Sequence, residues 1–384
     1  MAPALPTLDL LRSLTDEHVL RSLIDERTLT RAEIAARTGI SKPTVSESIR
    51  RLAAAGLAVD TGERTTGRGR VGSYYALAAD LGVALVASVA PDAVIAEIID
   101  VHGAVRSRQV RSLPPTADGG DVAETLRTVV RHACDAAPGP VRLAVVSAAD
   151  PVDRDTGRLV HLPDAPFPVV DLSPVDTLSS MVDGPVTVDN DINWAARAER
   201  YATLGETLDN FAYLHLGEGL GCAIGSDGVI HRGQHGIAGE VAHLLTHGPR
   251  QRAVPFTDVF AQLHLRRPGS AAIDVDALMA AVTGSSATAR RVLTAVTAAV
   301  TGVLTAIVAL TDPEVIILGG AWGCRPAIVD AVEERFGEQP RHAPIHAARL
   351  TSEPSLAGAR HRAVTDLRAS ILSKVATGPS TASD

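Results

Sequence analysis

Residues 29–57, LTRAEIAARTGISKPTVSESIRRLAAAGL, constrain this chain more than any other stretch. Two capped helices joined at a single glycine leave few ways to bury their apolar faces. Thr30 and Glu33 have the T-x-x-E spacing of a capping box, so a helix starts at Arg31 and Gly39 ends it. Ser41 is placed to cap a second helix, Pro43 fits its first turn, and Gly56 closes it. Val45, Ile49 and Leu52 fall at i, i+4 and i+7 and form one buried stripe. With Ser41 at its head, that leaves Lys42, Thr44, Ser46, Glu47, Arg50 and Arg51 facing outward. Hydroxyls and a base near base edges, followed by arginines near phosphates, are what a DNA-reading helix-turn-helix requires. An ordinary αα-hairpin with a solvated face is the alternative.

The residues that follow favour the DNA reading. Leu57 to Thr61 and Ser73 to Leu77 read as two strands flanking the loop GERTTGRGRVG, a wing whose Arg68 and Arg70 suit a narrow, electronegative minor groove. Residues 1–78 carry 11 Lys+Arg against 9 Asp+Glu, and the remaining 306 carry 25 against 35. Positive charge is thus gathered at the winged helix-turn-helix, although the excess is small. Binding is expected to be salt-sensitive and to need more than one copy of the module.

At 384 residues and 46% hydrophobic content the chain has material for two or three globular units. Asp9, Arg12, Asp16 and Glu17 interrupt the leucines of the N-terminus, which does not fit a secretory signal, and cytoplasmic residence is expected. Cys134, Cys222 and Cys324 are far apart and contain no C-x-x-C pair, so neither a disulfide framework nor a cysteine-rich metal site is indicated. Val292 to Leu310 is uncharged and long enough to span a membrane. Its threonines at 294, 297, 301 and 305 make a hydroxyl stripe that favours a buried core helix.

After Leu81 come three hairpin-linked strands, VALVASVA, AVIAEIID and AVRSRQVRS, then a helix from about Val122 to Ala136, the strand VRLAVVSA, and a Pro/Asp-rich loop to Asp171. The strand PVTVDND leads into a helix reaching Ala202. A second set repeats the theme, with strands at 211–216, 221–226 and 315–320, helices near Asp274 and over 292–310, and two final helices over 326–336 and 358–372. Two α/β lobes with a cleft between them follow from this order, and such clefts hold ligands.

Four stretches carry a resemblance: the winged helix ending in TGRGR, Asn190-Asp191 at a strand end before a helix, the glycine-rich LHLGEGLGCAIG (214–225), and GIAGEVAH (236–243). In their order and spacing the chain resembles the ROK family (repressor, open reading frame, kinase), in the branch where a winged helix precedes the catalytic-type fold. The resemblance implies an α/β two-lobed actin/sugar-kinase-like (ribonuclease H-like) domain preceded by a winged helix-turn-helix domain. The boundaries are then 1–78 for DNA binding and 79–376 for effector binding and oligomerisation. The lobes lie at about 79–189 and 190–357, the C-terminal helix returns to the first lobe, and 377–384 form a disordered tail.

The resemblance also implies that Asn190, Asp191, Glu240 and His243 hydrogen-bond the hydroxyls of a sugar, with Asp164 where sugar binders of the family often have Asn. Two departures stand out. The first hairpin reads ALVASVAP (84–91) where kinases of the family carry an Asp-x-Gly-Gly-Thr phosphate loop, so neither phosphoryl transfer nor ATP use is expected. The family's zinc site pairs the histidine matching His243 with a cysteine cluster, and LLTHGPRQRAVPFTD has no cysteine, so no metal or other cofactor is expected. The expected function is a sequence-specific repressor of carbohydrate-related genes, not an enzyme. It would act as a homodimer or homotetramer on an inverted-repeat operator in double-stranded DNA, without membrane attachment, and a small carbohydrate effector would modulate it. The alternatives are a DNA-binding module with a ligand-free dimerisation domain and an active sugar kinase.

Overall fold

The computed structural model describes residues 8–66, 71–114, 116–162, 172–202, 208–250 and 252–376. Helix α1 (Leu8–Glu26), strand β1 (Thr28–Thr30), helices α2 (Arg31–Thr38) and α3 (Lys42–Ala54), and strands β2 (Ala58–Arg64) and β3 (Ser73–Leu77) form a winged helix. Both halves of the capping box are made: Thr30 Oγ1 accepts the Glu33 N–H at 3.3 Å, and the Glu33 carboxylate accepts the Thr30 N–H at 2.7 Å. Gly39, at φ 71°, turns the chain out of α2. Val45, Ile49 and Leu52 are buried in one cluster with Val19, Leu20, Leu23 and Ile24 of α1. Strand β1, too short to show a period, pairs with β3, and the sheet runs β1-β3-β2.

The first lobe contains β4 (Val83–Val89), β5 (Ala93–Ile99), β6 (Val105–Ser112), α4 (Gly119–Cys134), β7 (Val141–Ala148), α5 (Pro174–Leu178) and β8 (Val186–Asn190). Helix α4 starts three residues earlier than its apolar pattern predicts, because Asp118 and Asp121 cap it reciprocally. The second lobe follows with α6 (Asp191–Ala202), β9 (Phe211–Leu216), β10 (Leu220–Ser226), β11 (Val229–Ile230), a 3₁₀ turn at Val241–His243, β12 (Leu245–His247), β13 (Ala253–Pro255) and α7 (Phe256–Gln262). It continues through α8 (Val275–Val282), α9 (Ala287–Thr311), β14 (Val315–Gly319), α10 (Pro326–Gly337) and β15 (Ile345–Ala347) to the last helix, α11 (Pro354–Ala376). The tail expected at 377–384 lies outside the described residues.

The two large sheets repeat one order, β6-β5-β4-β7-β8 and β11-β10-β9-β14-β15. In each, three antiparallel strands are extended by two parallel ones. Strands β4 and β14, in the interior of the two sheets, are nearly unbroken apolar runs, as burial on both faces demands. Helix α9 is long and apolar enough to cross a membrane. It packs against α7, α8, α10 and β12, and half of its most apolar stretch is buried.

Helix α11 ties the molecule together. It lies on β4 and β7, crosses α6, and packs against α1. Its Leu356, Ala359, Ala363, Leu367 and Ile371 belong to the same cluster as the apolar face of α1 and Val86 and Val145 of the first sheet. The winged helix and the first lobe therefore share one core. At their seam His102 Nδ1 lies 3.0 Å from the Ile24 carbonyl, and beside it Arg368 of α11 donates through Nε to the Val101 carbonyl of the first lobe at 2.9 Å. Where α11 crosses α6, a Cβ on Gly358 would lie 2.0 Å from the Trp194 carbonyl oxygen, so the two backbones are in contact.

Candidate functional site

Two regions collect the candidate residues. On α3, Ser41, Lys42, Thr44, Glu47 and Arg50 are exposed and Ser46 is half-buried. Ser41 Oγ accepts the Thr44 N–H at 3.3 Å, and Ser46 Oγ donates to the Lys42 carbonyl at 2.9 Å. Arg50 is ion-paired with Glu47 one turn earlier on the same exposed face. Arg51 departs from the expected outward orientation. Its Nε and Nη2 donate to the Asp16 carboxylate of α1 at 2.9 and 2.5 Å. The physical reason is position: Arg51 flanks buried Leu52 on the side that packs on α1, where Asp16 is only 8% exposed and needs a cation. Arg51 thus braces α3 against α1. Arg12, Arg21, Arg37 and Arg64 are likewise paired within the domain, whereas Lys42 at the head of α3 has no ion-pair partner among the described residues. Arg68 and Arg70 lie outside the described residues, as does Asp164.

The second region is a cavity of about 100 Å³ between the lobes, at the carboxyl ends of the parallel strands. This is where α/β folds place ligands. Register sets Ala148 of β7 opposite Asn190 of β8, so Asp150, two residues beyond β7, and Asp191, the first residue of α6, leave the sheet side by side. Asn190 caps α6 through Oδ1, which accepts the Ile192 N–H at 2.9 Å, while its Nδ2 donates to the Asp150 carbonyl at 3.2 Å. One N–H and one lone pair of the amide remain.

Glu240 arrives from the opposite side on a loop pressed against both lobes. A Cβ on Gly236 would strike the Val152 carbonyl at 1.9 Å, and one on Gly239 the Cys222 carbonyl at 1.8 Å. The glycines of GIAGE therefore permit a close approach that delivers the carboxylate. His243, in the 3₁₀ turn that follows, lines the same cavity and is exposed.

All four residues expected at the effector site line this cavity, and four others that sequence reasoning missed join them: Asp150, His215, Glu218 and Thr257. Burial pushes the Asp191 carboxyl up to about 7. Burial, with Asp191 and Glu240 adding repulsion, does the same to Asp150. Burial and then Asp191 raise Glu240 to about 7. Burial pulls His215 down to about 4, leaving the ring neutral at physiological pH. Asp191 Oδ1 and His215 Nδ1 are buried with no hydrogen-bond partner among the described residues. Atoms of this kind cost about 1–3 kcal/mol unless something satisfies them. No group of three or more His, Cys, Asp or Glu among the described residues is arranged to hold a metal ion.

Residues 91–257 match the ROK family and residues 12–58 match a family described as winged helix-turn-helix DNA-binding. The xylose repressor of Bacillus subtilis (strain 168) is 22% identical over 229 residues, which cover 59% of this chain and 59% of that protein. The match thus spans about three-fifths of that repressor's length. The N-acetylmannosamine kinase of Salmonella typhi is 25% identical over 248 residues, 62% of this chain and 81% of the kinase. A crystal structure of a ROK family transcriptional regulator, a homologue of the E. coli MLC protein, superposes with a TM-score of 0.64 at 16% identity, covering 95% of this chain and 99% of its own. The fold is therefore actin/sugar-kinase-like, with a winged helix-turn-helix in front.

Proposed function

We propose that this chain, which carries a ROK family domain behind a winged helix-turn-helix domain, is a sequence-specific transcriptional repressor whose hold on DNA is set by a small carbohydrate. The observation that carries the reading is the pairing of two features in one molecule. An exposed helix of hydroxyls, lysine and arginine belongs to a domain that shares its core with the first lobe, and that lobe ends in a cavity of hydrogen-bonding groups the protein leaves unused. Asn190, Asp191, Glu240 and His243 are assigned to the effector. Carboxylates accept from sugar hydroxyls, while amide and imidazole both donate and accept. The similarity to xylose repressors supports a sugar as the effector class.

Kinase relatives also exist, and phosphoryl transfer depends on holding nucleotide phosphates and Mg²⁺. Strand β4 and the turn after it, ALVASVAP, offer only Ser88 for that task, so we read the domain as a sensor. Zinc is not assigned either, because His243 and His247 have no thiolates beside them in 244–258. Purified protein is expected to show no sugar-dependent ATP hydrolysis and no stoichiometric zinc by elemental analysis.

The direct test is fluorescence anisotropy of the full chain on operator DNA with and without a panel of monosaccharides. Asp191→Ala and Glu240→Ala should each weaken the active sugar by more than about tenfold while leaving ligand-free DNA affinity nearly intact. If both variants respond to the same sugar at the same concentration, the effector binds elsewhere. A homodimer on an inverted repeat is the assembly we assign, since one winged helix of small net charge holds too few phosphates. Arg68→Ala with Arg70→Ala should then weaken A·T-rich flanks most.

A further inference from the structure

Charge in the effector cavity is unbalanced in a way that hydroxyl binding does not require. Six carboxylate residues are buried among the described residues: Asp16, Glu97, Asp100, Asp150, Asp189 and Glu199. Five have strong partners. Asp16 holds Arg51, and Glu97 holds Arg108 and Arg360. Asp100 holds Arg106, and Asp189 holds Arg197 at 2.7 Å and Arg232 at 3.2 Å. Glu199 accepts the N–H groups of Arg349 and Leu350. Asp150 alone has no partner for its carboxylate among the described residues, although it is only 6% exposed and lines the cavity.

The imbalance extends to its neighbours. Among the described residues Asp191 and Glu240 line the same cavity without a cation, and Glu218, also lining it, is ion-paired with Arg267. No lysine or arginine lines the cavity among the described residues. Among the described residues, Asp150, Asp191 and Glu240 face one small space with no cation beside them.

We infer that the ligand of this cavity is a sugar bearing a free primary amine, whose ammonium group sits among Asp150, Asp191 and Glu240. The inference rests on the reading of the cavity as the effector site and narrows its ligand class. A primary ammonium has three N–H donors and no acceptor, and ionised carboxylates are acceptors only, so the two sets match. A quaternary ammonium would instead call for the faces of Trp, Tyr or Phe, and none of these lines the cavity among the described residues. The remaining groups suit the rest of a sugar. The spare amide valences of Asn190, His215 Nδ1 and the Thr257 hydroxyl can meet ring hydroxyls, while Ile192, Leu220 and Ile273 can meet the apolar face of a ring. N-acetylation would remove the charge and the inference excludes it. A sugar phosphate or sugar acid would add negative charge where none is balanced.

The test is isothermal titration of the full chain with D-glucosamine, D-galactosamine and D-mannosamine, each beside its parent hexose and its N-acetyl derivative. At least one free amine should bind about tenfold or more tighter than both counterparts, as a charge-assisted contact would give. Asp150→Asn, nearly identical in shape, should bring the free amine to within about threefold of its parent. The melting temperature of that variant checks that it is folded. If a neutral hexose binds as tightly as its amine, and Asp191→Ala abolishes both, the effector reading stands and this inference falls. If amines bind wild type and Asp150→Asn alike, or if none of the three amines binds, this inference falls. Titration with Mg²⁺, Mn²⁺ or Ca²⁺ alone is the last arm, and saturable binding lost in Asp150→Asn would replace the amine with a metal ion.

Discussion

Asp150 and Asp189 stand near the ends of neighbouring strands, and their surroundings differ sharply. Asp189 is held by two arginines, while Asp150 is pushed up to about 7 by burial and, less, by the two further carboxylates it faces. In the unfolded chain an aspartate titrates near 3.9. A carboxyl raised on folding adds stability below its unfolded value and loses it as pH climbs through the folded one, here between about pH 4 and 7. Asp150→Asn should therefore be more heat-stable than wild type at pH 8, by roughly 2–5 °C, with the gap closing toward pH 4.5. His215 has the opposite sign, since its depressed value costs stability as pH falls toward 4, but it is present in both proteins and cancels. A pH series of melting temperatures decides the matter, and a gap that does not vary with pH would mean that folding does not raise the Asp150 carboxyl. Arg50 and Arg51 give a second contrast. Arg51→Ala strands the Asp16 carboxylate and should cost about 1–3 kcal/mol in chemical denaturation. Arg50→Ala should leave stability alone and lower the slope of log K against log salt by about 1. That Asn190, Asp191, Glu240 and His243 line one cavity was legible only through the order of the motifs that carry the resemblance. Asp150 and His215 were not, because their significance comes from which strand ends the sheet brings together.

At the scale of elements, long periodic segments were readable and short ones were not. Strands β7 and β9 match their apolar runs residue for residue. The β12–β13 hairpin and β15, three residues per strand, carry no period, and tertiary pairing alone defines them. The helix crossing at Gly358 could not have been anticipated either, since an isolated glycine in a helical pattern is as easily a weak point as a packing requirement. Here it is the latter, with the Trp194 backbone against it and Trp194 Nε1 donating to the Val146 carbonyl at 3.0 Å. Helix α6 begins at Asp191, and α11 reaches α1, so this crossing lies between the cavity and the DNA-reading domain. Gly358→Ala should force the helices apart, lower stability by about 1–3 kcal/mol, and weaken the sugar's effect on DNA binding. Sugar affinity and DNA affinity, each measured alone in titrations, should change much less than their coupling.

For the molecule as a whole, the two α/β lobes and the cleft between them followed from the run of strands and helices, whereas the five-strand order shared by both sheets did not. The shared core between winged helix and first lobe did not, because α1 and α11 stand at opposite ends of the chain and their contact is visible only when folded. That core has a consequence for the DNA as much as for the protein. A reading head fused to its scaffold cannot swivel to follow the double helix, so a two-fold assembly would act as a caliper set to one opening. Each base pair inserted between half-sites turns the second one by about 34° and moves it about 3.4 Å, out of reach of a jaw that does not flex. Heads on slack tethers would recover at an insertion of one full turn, about ten base pairs, whereas this architecture should lose affinity at five and at ten alike. Competition binding on a ladder of spacers would show it: the genome sites this protein occupies are then limited by helical phase as strictly as by base sequence.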